Sequence, residues 1–160
     1  MHQAVLDHGV TVPMPYLCPD HNIPIVPIFV NCLLPPLPSL QRCFALGQCI
    51  AEALRHWDET ERIGLVATGG LSHDIVSEKQ GFVDEELDRE VLHLLSEGPR
   101  SALAELSDER LVASGNGTAE IRNWIVLAGA LPQERARCTV VAYEVMSLTG
   151  TAQVVFDCLT

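Results

Sequence analysis

The sequence predicts an α/β protein whose mixed or mostly parallel central sheet is flanked by helices. Two short β-branched runs, 24–31 (PIVPIFVN) and 62–68 (RIGLVAT), are too short for helices and read as strands. Between them, apolar residues repeat at helical spacing from Leu40 to Trp57. A strand, a helix and a strand in that order form a right-handed parallel crossover in nearly all cases.

The chain has 160 residues, which favours one domain over 1–160 with a sizeable core. Apolar residues make up 48% and charged residues 19%, the balance of a globular chain. A net charge of −11 argues against nucleic acid and anionic membrane surfaces as partners, because phosphate binding needs clustered Lys and Arg. The longest apolar stretch, 23–34, is broken by Pro24 and Pro27, so no membrane span is expected. Met1-His2-Gln3 lacks a basic leader, and the six cysteines have no CxxC or other zinc spacing. They read as thiols of a reducing, cytoplasmic compartment.

Eight of the ten prolines fall between Pro13 and Pro38, so the first forty residues are expected to be mostly extended, with the 24–31 strand among them. Pro27 marks that strand as an edge or a bulge. Leu6-Asp7-His8-Gly9 before it fits either a chemically used turn or a turn with a surface histidine. Ser39 is placed to cap the first long helix, whose stripe is Leu40, Cys43, Phe44, Gly47, Ile50, Ala51 and Leu54. His56 falls near its end and reads as surface.

The 62–68 strand runs into Ala67-Thr68-Gly69-Gly70-Leu71-Ser72-His73. Two glycines permit a tight turn and a close ligand approach at a strand's carboxyl end, where α/β proteins place their sites. The ordinary pKa of His73, about 6.5, suits acid–base work. The same heptad also fits a plain turn with an incidental histidine.

A polar loop, 74–81, follows. Residues 84–98 form an amphipathic helix capped by Asp84, with Leu87, Val91, Leu94 and Leu95 inward and Glu85, Glu86, Arg89 and Glu90 in solvent. His93 reads as exposed and Pro99 ends the helix. A short helical turn spans 101–106, and Ser107 opens another short helix ending near Ser114. Gly115-Asn116-Gly117-Thr118 feeds a third strong helix with Ile121, Trp124, Ile125 and Ala128 as its stripe. Glu120 lies in its first turn, either as a dipole partner or as a carboxylate used beside Trp124. Residues 139–146 and 154–156 read as strands.

In this order the motifs resemble the class III extradiol ring-cleavage dioxygenases of the protocatechuate 4,5-dioxygenase β-subunit type. The matching stretches are Asp7-His8-Gly9, PIVPIFVNCLLPPLPSLQRC (24–43), ATGGLSH (67–73), GFVDEELDREVL (81–92) and GNGTAEIRNWIVLAGAL (115–131). The resemblance implies cleavage of a catechol-type ring by O₂ at non-haem Fe(II) held by two histidines and a glutamate. It implies that His73 is the base for a small aromatic diol, that His8 is a second acid–base histidine, and that Glu120 is the metal-binding carboxylate. It also implies a homo- or hetero-oligomer. Ser72 is expected to orient His73, and Arg122 is a candidate clamp for a ring substituent.

The family's two iron-binding histidines lie upstream of the stretch matching Asp7-His8-Gly9, where this chain has only His2. The expectation is therefore the C-terminal portion of such a subunit, incomplete relative to the family fold and inactive by itself. A second chain supplying the histidines, or a makeshift triad of His8, His73 and Glu120, are the other accounts. Two further readings differ in class. One is a non-catalytic binding or subunit-interaction domain with the dioxygenase fold. The other is a serine hydrolase, disfavoured because adjacent Ser72 and His73 pair poorly and no GxSxG elbow is present.

Overall fold

A computed structural model describes residues 6–57, 61–132 and 134–158. These fall into two compact units divided between Val30 and Asn31.

The first unit holds two single-turn helices, α1 (His8–Thr11) and α2 (Met14–Leu17). Asp7 caps α1 by accepting the Gly9 N–H at 2.9 Å. Pro13 and Pro15 open α2, where a missing N–H costs nothing. The expected extended start is interrupted by these two turns, because proline's fixed φ also suits the first turn of a helix. Residues 24–30 form neither helix nor ladder, with Val26 and Phe29 exposed, so the expected 24–31 strand is absent.

The second unit begins with α3 (Leu40–Arg55), capped as expected by the Ser39 hydroxyl, which accepts the Arg42 N–H at 3.3 Å. Next come α4 (Glu85–Ser96), a 3-10 turn (Arg100–Glu105), α5 (Asp108–Ala113), a 3-10 turn (Thr118–Glu120) and α6 (Ile121–Ala130). Asp84 caps α4 and Ser107 caps α5. Leu40, Leu87, Val91, Leu95, Leu103, Ile121 and Ile125 form the core, each at most 1% exposed.

Helices α3 and α6 cross at two glycines. A Cβ on Gly47 would lie 2.0 Å from the Val126 carbonyl, and one on Gly129 would lie 2.2 Å from that of Phe44. No side chain fits there, so the backbones touch.

The expected parallel sheet is corrected. Among the described residues the one sheet is an antiparallel hairpin of β1 (Ala136–Met146) and β2 (Thr149–Cys158), paired from Ala136 opposite Cys158 to Met146 opposite Thr149 with a one-residue register shift between Val140 and Ala142. Both are longer than the runs at 139–146 and 154–156. Their two-residue turn holds Ser147 (φ 52°) and Leu148 (φ 69°), both left-handed, as the twist of a tight hairpin requires. Residues 62–68 form no helix and no ladder, and Ile63, Leu65 and Val66 are exposed. An apolar β-branched pattern favours an extended backbone, but a strand also needs a neighbour. Pairing begins only past the glycines: Leu71 N–H donates to Gly150 O at 2.8 Å and Gly150 N–H to Ser72 O at 2.9 Å. His73 thereby sits antiparallel to Thr149. No helix of the described residues is long and apolar enough to cross a membrane.

Candidate functional site

The turn after 62–68 is held by the start of α6. Asn123 donates its side-chain amide to Thr68 O at 3.0 Å, and the Trp124 indole N–H donates to Gly69 O at 3.1 Å. Glu120 Oε2 accepts the Gly70 N–H at 2.7 Å. Gly69 has φ +124°, a conformation that side chains rarely adopt, and a Cβ there would lie 3.1 Å from the Glu120 carboxylate. Helix α6 thus places its leading carboxylate directly on the glycine turn.

His73 is 6% exposed. Its Nδ1 lies 2.9 Å from the Leu71 carbonyl oxygen. A carbonyl only accepts, so Nδ1 carries a proton, and in the neutral ring the lone pair is then on Nε2. The ring lies between two glycines. A Cβ on Gly70 would come 3.2 Å from it, and one on Gly117 would come 1.9 Å from Nε2. The backbone is locked on the same side. Gly117 N–H donates to His73 O at 3.1 Å, and His73 N–H donates to the Thr118 hydroxyl at 3.4 Å.

The structure therefore brings His73 and Glu120 to the same glycine, Gly70. His8 lies in the first unit, exposed on the capped turn α1. Ser72 is fully buried, and its hydroxyl accepts the Asp84 N–H at 2.8 Å and bonds Asp88. It fixes the entry to α4, with no bond to the His73 ring, which also leaves no serine–histidine pair for hydrolysis. Arg122 is 3% exposed. Its guanidinium donates to Pro38 O at 2.9 Å and pairs with Asp108, so it is occupied in tying α6 to the entries of α3 and α5. A cleft of about 200 Å³ with Cys32, Leu33, Pro35, Leu111, Gly115 and Ala119 among its walls lies beside it. Burial pushes the Cys32 thiol up to about 11, against the opposing pull of Arg122.

Sequence reading missed Asp88, which is fully buried on α4. Its Oδ1 accepts the Ser72 N–H at 2.8 Å and its Oδ2 accepts the Tyr143 hydroxyl at 2.9 Å. Burial raises its pKa above 3.8, and the Ser72 and Tyr143 donors pull the other way. The same pair pushes Tyr143 well above its ordinary value, chiefly by burial and then by its bond to Asp88. The missed signal is spacing: Asp88, Val91, Leu92 and Leu95 stand at i, i+3, i+4 and i+7, on the buried stripe.

The donor chemistry does not by itself make an iron site. Among the described residues no group of three or more His, Cys, Asp or Glu is placed to hold a metal ion. Glu120 is one carboxylate, with one oxygen already committed to Gly70.

His73 and Glu120 thus both border Gly70. The chain belongs to the family described as the catalytic LigB subunit of aromatic ring-opening dioxygenase, whose model matches residues 1–157. It is 34% identical over 155 residues to a gallate dioxygenase of Pseudomonas putida, covering 95% of this chain and 45% of that protein. It is 31% identical over 129 residues to a 2,3-dihydroxyphenylpropionate/2,3-dihydroxicinnamic acid 1,2-dioxygenase of Photorhabdus laumondii, covering 80% of this chain and 39% of the relative. The chain spans about half the length of the curated relatives it matches.

Proposed function

We propose that the chain carries the proton-accepting part of an extradiol ring-cleavage site for a catechol-type aromatic. The observation that carries this is the meeting of His73 and Glu120 on Gly70. His73 Nε2 accepts a proton from a ring hydroxyl, because Nδ1–H is held by Leu71 O. The anion so formed is the form of a catechol that binds a cation best. Glu120 is the carboxylate for the ferrous ion, with the remaining donors coming from outside the described residues. By the family resemblance His8 is assigned a role as a second acid–base histidine, and O₂ is the co-substrate. The assignment is supported by family membership and by relatives named for gallate and dihydroxyphenylpropionate.

The test is oxygen uptake and appearance of a yellow ring-opened product. The chain is given ferrous iron and gallate, protocatechuate or 2,3-dihydroxyphenylpropionate, alone and extended at its amino end to restore the family's two histidines. Turnover is expected in the extended protein and absent in the chain alone. His73→Gln is expected to lose about 10²–10⁴-fold. No product from the extended protein with any of these diols overturns the proposal.

A second reading, a non-catalytic interaction domain of the same fold, is favoured by the exposed Ile63, Leu65 and Val66 on a segment with no ladder partner. It predicts no bound iron in the extended protein and no turnover.

A further inference from the structure

We propose that Asp88 is a positioning residue that acts on His73 through one peptide group. Its use in ring opening rests on the function proposed above; the hydrogen-bond chain does not. The Leu71 carbonyl and the Ser72 N–H belong to the same planar peptide and point to opposite sides of it. On one side Asp88 Oδ1 accepts the Ser72 N–H at 2.8 Å. On the other, Leu71 O accepts the His73 Nδ1–H at 2.9 Å. Carboxylate, amide and imidazole therefore form one continuous chain. Leu71, Ser72 and Asp88 are fully buried and His73 nearly so, which removes competing water.

A carboxylate accepting an amide N–H draws positive charge toward itself and leaves the carbonyl oxygen of that amide more negative. Linked bonds of this kind strengthen one another by roughly 10–30% each. Leu71 O thus becomes a better acceptor, the proton is held on Nδ1, and the lone pair of the neutral ring is kept on Nε2, facing Gly117. Three donors bond Asp88, the Ser72 N–H, the Ser72 hydroxyl and the Tyr143 hydroxyl, and they oppose the rise that burial imposes on its pKa; the relay operates where the carboxyl is ionised. The fold makes room for the charge. A Cβ on Gly150 would lie 1.9 Å from Asp88 Oδ2, so only glycine at that position admits the carboxylate. Packing alone does not call for a charge here, since an asparagine fills the same volume and still accepts the Ser72 N–H.

The test uses the chain labelled with ¹⁵N-histidine, free of metal and substrate. The ring signals of His73 are assigned by their loss in His73→Gln. The wild type is expected to show the Nδ1–H tautomer with a downfield Nδ1 proton. In Asp88→Asn that proton is expected to move upfield and the tautomers to mix, with helix content unchanged by circular dichroism. Wild-type His73 signals in a folded Asp88→Asn overturn the relay. Should that variant not fold, Tyr143→Phe decides. Removing a competing donor leaves more charge for the Ser72 N–H, so the His73 proton moves further downfield. An unmoved or upfield signal overturns the relay. The readout needs no turnover, so an inert extended protein with intact His73 signals defeats the ring-opening reading alone.

Discussion

Glu120 and Gly70 are fifty positions apart, yet the carboxylate of one accepts the backbone N–H of the other at 2.7 Å. This bond holds the glycine turn against the start of α6. A carboxylate acceptor strengthens it over a neutral one. Glu120→Ala removes the acceptor and is expected to cost about 1–3 kcal/mol. Glu120→Gln keeps an acceptor oxygen and is expected to cost under about 1 kcal/mol. Urea midpoints at constant slope measure both. In the extended protein, Glu120→Gln is expected to abolish ring opening while remaining folded, which separates the charge from the turn.

Gly117 controls the face of His73 that carries the free lone pair. Its φ of −84° suits any residue, so an added methyl adds no backbone strain. The methyl would instead fall 1.9 Å from His73 Nε2 and displace the ring. Gly117→Ala is expected to lower ring opening by about 10²–10⁴-fold, as loss of the base does. The double variant with His73→Gln should be no worse than either single one, because both remove the same group. Additive losses in initial rates would show that Gly117 acts elsewhere.

The helices were legible because their information is local. Ser39, Asp84 and Ser107 are side chains that accept from the first turn, and the stripes of α3, α4 and α6 repeat within one element. His73 and Glu120 were read from motifs matching the family, and their meeting on Gly70 follows from packing of α6 against the turn. The parallel sheet was not legible, since 24–31 and 62–68 show only that the backbone prefers to extend. Whether a partner strand lies alongside is not written in the run itself. Nothing in Ser147-Leu148 announces a tight hairpin, because neither residue favours positive φ. Asp88 was overlooked among the charged neighbours of α4, although its spacing with Val91 and Leu95 places it inward.

Cys32 and Cys49 should differ sharply toward alkylating reagents. Only the thiolate reacts. Burial pushes Cys32 up to about 11, and it lies on the wall of the cleft beside Arg122. At pH 8 its thiolate fraction is therefore on the order of one in a thousand. Cys49 is exposed on α3. Timed iodoacetamide labelling read by peptide mass is expected to modify Cys49 well before Cys32. Early labelling of Cys32 in folded protein would show that its walls open.

Asp88 should make the stability of the chain depend on pH in the opposite sense from an ordinary paired carboxylate. Burial raises its folded pKa above the unfolded value of 3.8, with Ser72 and Tyr143 limiting the rise. The folded state therefore binds the proton more tightly than the unfolded chain. Its stabilising contribution is fully present below 3.8 and is lost as pH rises through the folded value. Asp88→Asn does not titrate, so the difference in melting temperature, wild type minus variant, isolates this contribution. That difference is expected to fall as pH is raised from about 4 toward about 7. Thermal melts of both proteins at several pH values measure it. A difference that grows with pH would mean that the donors around Asp88 outweigh its burial and hold the folded pKa below 3.8.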